Sequence, residues 1–143
     1  MDFNVKADYQ VTTLCSELAG PACSKAYWES IQQDVNKASW LHSRTRPNAW
    51  DEWQKSHQVE KNMPRSEQHF DHFFYTLQAA QDQLGIAIGS TPLVADDLQT
   101  QRLIAPLGMQ PTGYSYALLT LDDPNQDPRI AAFSNWLMGQ VTL

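Results

Sequence analysis

Hydrophobic and polar positions change period several times along this chain, most densely over residues 78–106, QAAQDQLGIAIGSTPLVADDLQTQRLIAP. Ala79 and Ala80 close an apolar helix. Gly85 then opens Ile86-Ala87-Ile88, an apolar run too short for a helix. Bounded by glycine, such a run predicts a strand buried on both faces. Pro92 stands where a new helix begins, and Val94, Leu98 and Leu103 supply its inward side. A final short strand at 102–104 completes an αβαβ order, the layout of a layered α/β domain.

The remaining pattern extends this reading. Partial alternation predicts a strand over residues 11–19, ended by Gly20-Pro21. Ser24 is placed to cap a short helix carrying Ala26, Tyr27, Trp28 and Ile31, and Asp34 to cap one further turn. Trp40-Leu41-His42 reads as a short strand, and Pro47 opens a helix with Trp50 and Trp53 on one face. Residues 54–66 are polar and read as a loop, residues 68–70 as a strand, and Asp71 as the cap of a helix over 72–83. Tyr114 to Leu121 is β-prone. Asp127-Pro128 starts a last helix, with Ile130, Phe133, Trp136 and Leu137 on one stripe. No internal repeat or low-complexity run is present.

Four stretches, in this order and spacing, resemble the effector-binding domain of LysR-type transcriptional regulators. Pro21-Ala22-Cys23-Ser24 is similar to a Pro-Val-Cys-Ser-Pro phrase that follows a strand in that family. Trp40-Leu41-His42 with Arg46-Pro47-Asn48-Ala49-Trp50-Asp51-Glu52-Trp53 resembles the branch containing the glycine-cleavage activator and the β-lactamase regulator. Residues 78–106 resemble the stretch typical of the domain's second half, and Pro128 to Leu137 its closing helix. The resemblance implies a three-layer α/β sandwich like a type II periplasmic-binding-protein subdomain, with a mixed, mostly parallel sheet and helices on both faces. It also implies an organisation. Residues 1–10 would be a leader or crossover, residues 11–106 the second effector-binding subdomain, and residues 107–143 a return strand and C-terminal helix. On this view the chain lacks the DNA-binding region and most of the first subdomain. Its last helix, built for a partner, would leave Phe133 and Trp136 partly uncovered. That helix either repacks on this domain or is covered by a second copy.

Composition narrows the function classes. At 143 residues the chain suffices for one ordinary domain, and its net charge of −6 comes without clustered Lys and Arg. Duplex DNA requires such clusters, so no nucleic-acid contact is expected from this chain alone. No apolar run approaches the roughly eighteen residues that span a bilayer, and the first ten residues lack signal-peptide character. The expected compartment is the cytoplasm, where Cys15 and Cys23 rest as reduced thiols. A redox pair would need a cationic, exposed setting, and Lys25 is the only nearby cation.

Candidate chemistry is sparse. Two cysteines are too few for a cysteine zinc site, and His42, His57, His69 and His72 lack a recognised ligand spacing. Asp51-Glu52, Asp96-Asp97 and Asp122-Asp123 sit adjacent rather than facing each other across a cleft, so they read as solvated charges. No nucleophile elbow, phosphate loop or dinucleotide fingerprint occurs. Catalytic residues, metal and cofactor are therefore all absent from the expectation.

The strand-to-helix junction Phe70-Asp71-His72-Phe73 is the main binding candidate, because ligands of open α/β folds meet the carboxyl ends of strands. The resemblance implies a Ser or Thr after Asp71, where its hydroxyl would hold an effector carboxylate. His72 and Phe73 stand there instead, which favours a filled cleft or an aromatic or peptide-like ligand. Tyr116 shares a strand face with Tyr114. In the β-lactamase-regulator branch a tyrosine at the matching position points into the effector cleft; otherwise Tyr116 is a strand tyrosine with a buried ring. The resemblance also implies an antiparallel dimer contact, here carried by Phe74, Leu77, Gln78, Gln81, Ile86 and Ile88.

These readings converge on an effector-sensing regulatory domain. A small molecule in the cleft between subdomains would bias their orientation and so the way dimers pair. With half a cleft, the chain alone should bind such an effector weakly. A stand-alone module that self-associates or pairs with a full-length regulator is the alternative. An enzyme on the same fold would need a nucleophile–base pair that the sequence does not offer.

Overall fold

The computed structural model describes residues 9–57, 63–121 and 126–141. The strands are β1 (Gln10–Ala22), β2 (Ser39–Ser43), β3 (Ser66–Phe70), β4 (Ile86–Thr91) and β5 (Gln110–Thr120). The helices are α1 (Lys25–Ser30), α2 (Ala49–His57), α3 (Phe73–Gln81), α4 (Ala95–Gln99) and α5 (Pro128–Val141), with a single 3-10 turn at Val35–Lys37. The five strands form one sheet in the order β3-β2-β4-β1-β5. Strands β3, β2 and β4 run parallel, and β1 runs antiparallel to β4, so the sheet is mixed. The described residues divide into a larger unit, Leu18–Thr112, and a smaller one made of residues 9–17 with residues 113–121 and 126–141.

In the larger unit the two-residue period of the strands sorts side chains into two cores. Trp40, Ile86, Ile88, Ala19 and Cys23 face one side and pack with Ile31, Val35, Ala38, Trp50 and Trp53. Leu41, Ala87 and Ala22 face the other and pack with Leu77, Ala79, Ala80, Val94 and Leu103. Helices therefore cover both faces, the three-layer α/β sandwich expected. The Trp40 and Trp50 rings stack at 4.0 Å and 6°, and Trp53 meets Trp50 edge-on at 5.8 Å. Both stacked indoles are anchored: Trp40 Nε1 donates to the Val35 carbonyl and Trp50 Nε1 to the Leu41 carbonyl, each at 3.0 Å. Gly85 sits where α3 hands over to β4. A Cβ there would lie 2.4 Å from the Ser39 carbonyl oxygen, which only glycine avoids.

Local caps follow the side chains. Ser24 Oγ accepts from the Tyr27 N–H at 3.1 Å, and Asp34 Oδ1 from the Asn36 N–H at 2.9 Å. Several boundaries differ from expectation, and four of them bear on the sheet and its flanking helices. β1 does not break at Gly20-Pro21 but pairs through Ala22, with Pro21 opposite Ile88. Cys23 exchanges both backbone hydrogen bonds with Ile104. Backbone groups point the same way at every second residue, so Pro21 also faces away from β4, where its missing N–H removes no bond to that strand. The expected strand at 102–104 reduces to that single Cys23–Ile104 bridge. α4 begins at Ala95 rather than Pro92, because residues 92–94 form a turn. Helix α2 runs on to His57, into what reads as loop from polarity alone.

Candidate functional site

The carboxyl ends of the parallel strands meet the first turns of α2 and α3. There a shallow crevice, with room for about one water molecule, is lined by Leu41, His42, Ser43, Arg46, Ala49, Trp50, Phe73, Thr76 and Ile88. Strand β2 delivers His42 and Ser43, and the loop that follows is held tightly. Ser43 Oγ accepts from the Thr45 N–H at 3.2 Å, and the Arg46 N–H donates to the Ser43 carbonyl at 3.1 Å. Arg46 is thereby fixed at the mouth, with its guanidinium 3.9 Å from Glu52. Across the crevice, Thr76 Oγ1 donates to the Phe73 carbonyl at 2.6 Å. Its walls are indole, phenyl and aliphatic carbon, with a few polar groups at one end.

One wall is continued by an imidazole pair. His42 and His69 are register partners on β2 and β3, and their rings stack at 4.7 Å and 15°. His42 Nε2 lies 3.1 Å from Glu67 Oε1. Among the described residues no group of three His, Cys, Asp or Glu side chains is arranged to hold a metal ion.

The junction residues separate. Phe73 is half-buried, packs against the core beneath α3 and lines the crevice. Asp71 does not cap α3. His72 occupies the N-cap, without a side-chain capping bond, and Asp71 reaches out to accept from Arg44 Nη1 at 3.0 Å. Both members of that pair are about 70% exposed. His72 is exposed, and its ring leans on Tyr75 at 5.7 Å. Tyr116 belongs to the smaller unit, where its hydroxyl donates to Glu17 Oε2 at 3.1 Å.

His42, Ser43, Arg46 and Thr76 line the crevice, and the motif reading passed over them. The signal was present: the loop after a parallel strand is where such folds bind, and β2 was legible. Three expected dimer-contact residues are corrected. Leu77 and Ile88 are 6% exposed and Ile86 fully buried, because they build the two cores and β4 is an interior strand. Phe74, Gln78 and Gln81 remain on the outer side of α3, Phe74 being 69% exposed.

Comparison with known proteins agrees with this architecture. A family model described as the LysR substrate binding domain matches residues 4–142. The HTH-type transcriptional regulator TrpI of Pseudomonas aeruginosa is 36% identical over 141 residues, covering 94% of this chain and 48% of TrpI. The HTH-type transcriptional activator AmpR of Citrobacter freundii is 32% identical over 138 residues, covering 92% of this chain and 46% of AmpR. The chain thus spans about half the length of the curated relatives it matches. The solved AmpR effector binding domain from Citrobacter freundii superposes with a TM-score of 0.74 at 28% identity, covering 96% of this chain and 70% of that one. The AmpR effector domain of Pseudomonas aeruginosa shares the fold, with a TM-score of 0.73 at 20% identity. These relatives are transcriptional regulators, not enzymes. By sequence, by the mixed sheet and by the superposition, the chain belongs to the LysR substrate-binding domain family.

Proposed function

We propose that this domain senses a small-molecule effector on behalf of a LysR-type transcriptional regulator in the cytoplasm. The observation that carries the reading is the crevice at the carboxyl ends of β2 and β3, with Arg46, His42 and Ser43 at its mouth and Trp50 and Phe73 in its wall. Such a lining offers apolar and polar contacts to one end of an aromatic or peptide-like ligand whose body lies outside the crevice. An effector that binds one arrangement of paired copies better than another shifts the population toward it, by as much as its affinities differ. DNA-binding heads attached to those copies would be repositioned in turn. Self-association through the outer side of α3, around Phe74, Gln78 and Gln81, fits the same scheme.

A backbone-resolved NMR titration with amino acids and dipeptides tests this, since NMR detects the weak binding expected of the chain alone. Shifts concentrated on residues 41–46 and 73–76 are expected. Binding whose shifts lie wholly elsewhere, or no binding by any probe up to tens of millimolar, would overturn it.

One observation favours a second reading, an interaction module that pairs with a full-length regulator. Phe133 and Trp136 on α5 are 52% and 60% exposed, with ring centroids 6.1 Å apart. An exposed aromatic couple on a helix is suited to a partner chain.

A further inference from the structure

We propose that α5 pairs antiparallel with the α5 of a second copy of this chain, each Trp136 seated over the partner's Gly139. The proposal rests on reading the Phe133–Trp136 couple as a partner contact, and it goes beyond that reading by naming the partner and the seat.

Helix α5 is apolar on more than its inward side. The inward stripe holds Ile130, Ala131, Ser134 and Leu137, all buried or half-buried. At about 100° per residue the opposite side carries Ala132, Trp136 and Gly139, all exposed, with Phe133 on their flank. From Ile130 to Val141 the helix has no charged side chain. A surface helix turns charged and polar residues outward, and one that is apolar on both sides is built to be covered. Arg129 and Asp127, at its start, are joined to each other at 3.1 Å. Covering the outer face therefore strips water from no charge along it.

The spacing of that face points to a second helix of the same kind. Ala132, Trp136 and Gly139 are four and then three residues apart, the step of a seam between two helices. Glycine weakens a helix interior, and a Cβ at Gly139 would meet nothing within 4 Å among the described residues. Packing within the chain thus gives no reason for the notch. It lies one turn from the largest ring on the same face. In an antiparallel pair the two seam positions alternate, so Trp136 lies level with the partner's Gly139, and Gly139 with the partner's Trp136. Large meets small twice about one twofold axis, as a self-complementary contact requires. A parallel pair would set ring against ring and notch against notch. Antiparallel alignment also brings opposite ends of the two helix dipoles together. With aromatic areas of about 200–250 Å² and exposures of 52% and 60%, Phe133 and Trp136 offer about 250 Å² per copy. Two copies then bury about 500 Å² between these rings, well under the ~1,200 Å² of stable interfaces. The pair is weak, with a Kd of about 0.1–1 mM.

The full chain carrying 5-fluorotryptophan at its five tryptophans tests this by 19F NMR, with Trp136→Phe identifying the Trp136 signal. The Trp136 signal should move as the chain is concentrated from about 10 μM to about 1 mM, while those of the buried Trp40 and Trp50 stay. Sedimentation equilibrium over the same range should give a dimer. Gly139→Leu fills the notch and should weaken the pairing roughly tenfold or more. Unchanged Trp40 and Trp50 signals show that this variant keeps its fold. The same substitution adds apolar surface, so a face that is only sticky would associate more strongly. Pairing that survives or strengthens in Gly139→Leu would therefore overturn the proposal. A dimer whose Trp136 signal stays still would overturn it too and assign the association to another face. A chain that remains monomeric, with Trp136 still, would overturn it as well. Full-length TrpI is then added. Movement of Trp136 would keep α5 as a partner contact with a different partner, and no movement would overturn the partner-contact reading along with the proposal.

Discussion

Trp50→Phe tests whether the stacked indoles hold the α2 side of the sheet, and with it one wall of the crevice. Trp50 is 2% exposed, stacks on Trp40 at 4.0 Å, and donates to the Leu41 carbonyl at 3.0 Å. Phenylalanine keeps one ring and loses the rest. The lost buried hydrogen bond costs about 1 kcal/mol. The missing five-membered ring leaves a void of about 30–40 Å³, worth about 1 kcal/mol at ~24 cal/mol per Å³. Reduced stacking on Trp40 and reduced edge contact with Trp53 add about 0.5–1 kcal/mol. The sum is about 3 kcal/mol, a large fraction of the stability of an ordinary domain. Urea unfolding followed by far-ultraviolet circular dichroism is the assay, since the substitution alters the fluorescence itself. With a slope of about 2 kcal/mol/M the midpoint should fall by about 1.5 M. Trp136→Phe is the matched control: at 60% exposure it should change stability by no more than about 0.5 kcal/mol. A loss below about 1 kcal/mol for Trp50→Phe at unchanged slope would refute the reasoning, because the stack would then be contact without energetic weight.

The two ends of the glycine scale should separate. Gly85→Ala forces a methyl to 2.4 Å from the Ser39 carbonyl oxygen and should destabilise by about 1–3 kcal/mol, whereas Gly139→Ala, in α5 with open space around it, should stabilise by up to about 1 kcal/mol. Thermal melts of the two variants report both signs. Burial pushes the Cys23 thiol up to about 12 and leaves Cys15 half-buried, so a maleimide at pH 8 should label Cys15 first and reach Cys23 only on unfolding, as peptide mapping would show. Equal labelling rates in the folded protein would contradict the packed β1–Ile104 junction. At α5, the Arg129 guanidinium, then its backbone N–H, hold the Asp127 carboxyl below the usual carboxylate range. A depressed pKa contributes stability that is present above the ordinary carboxylate range and lost as pH falls through the lowered value. Acid titration of helical dichroism should therefore show a loss at low pH that is missing in Asp127→Asn.

Much of this protein was decided by local chemistry and is visible in the chain itself. Ser24, Asp34 and Asp127 mark helix and turn starts because a short oxygen-bearing side chain at that point reaches a backbone N–H two or three residues on. Gly85-Ile86-Ala87-Ile88 declares a strand covered on both faces, and β4 is one. The tryptophans at 50 and 53 announce a buried helix face by spacing alone. Tertiary structure decided the rest. Whether Pro21 ends a strand depends on which side of β1 lacks a partner for its nitrogen, a property of the sheet and not of the residue. Leu77, Ile86 and Ile88 are apolar in sequence whether they face a core or another chain, and only the two helix layers assign them to the core. Asp71 has the chemistry of a cap, yet Arg44, across the β2–β3 pair and 27 positions earlier, draws it outward. The crevice lining of His42, Arg46, Phe73 and Thr76 converges from a strand end, a loop and a helix start. The Glu17–Tyr116 bond joins residues 99 positions apart. Distance along the chain is why such groupings escape sequence reading: periodicity and capping act within one turn or one strand, and a site is made where separate elements end together.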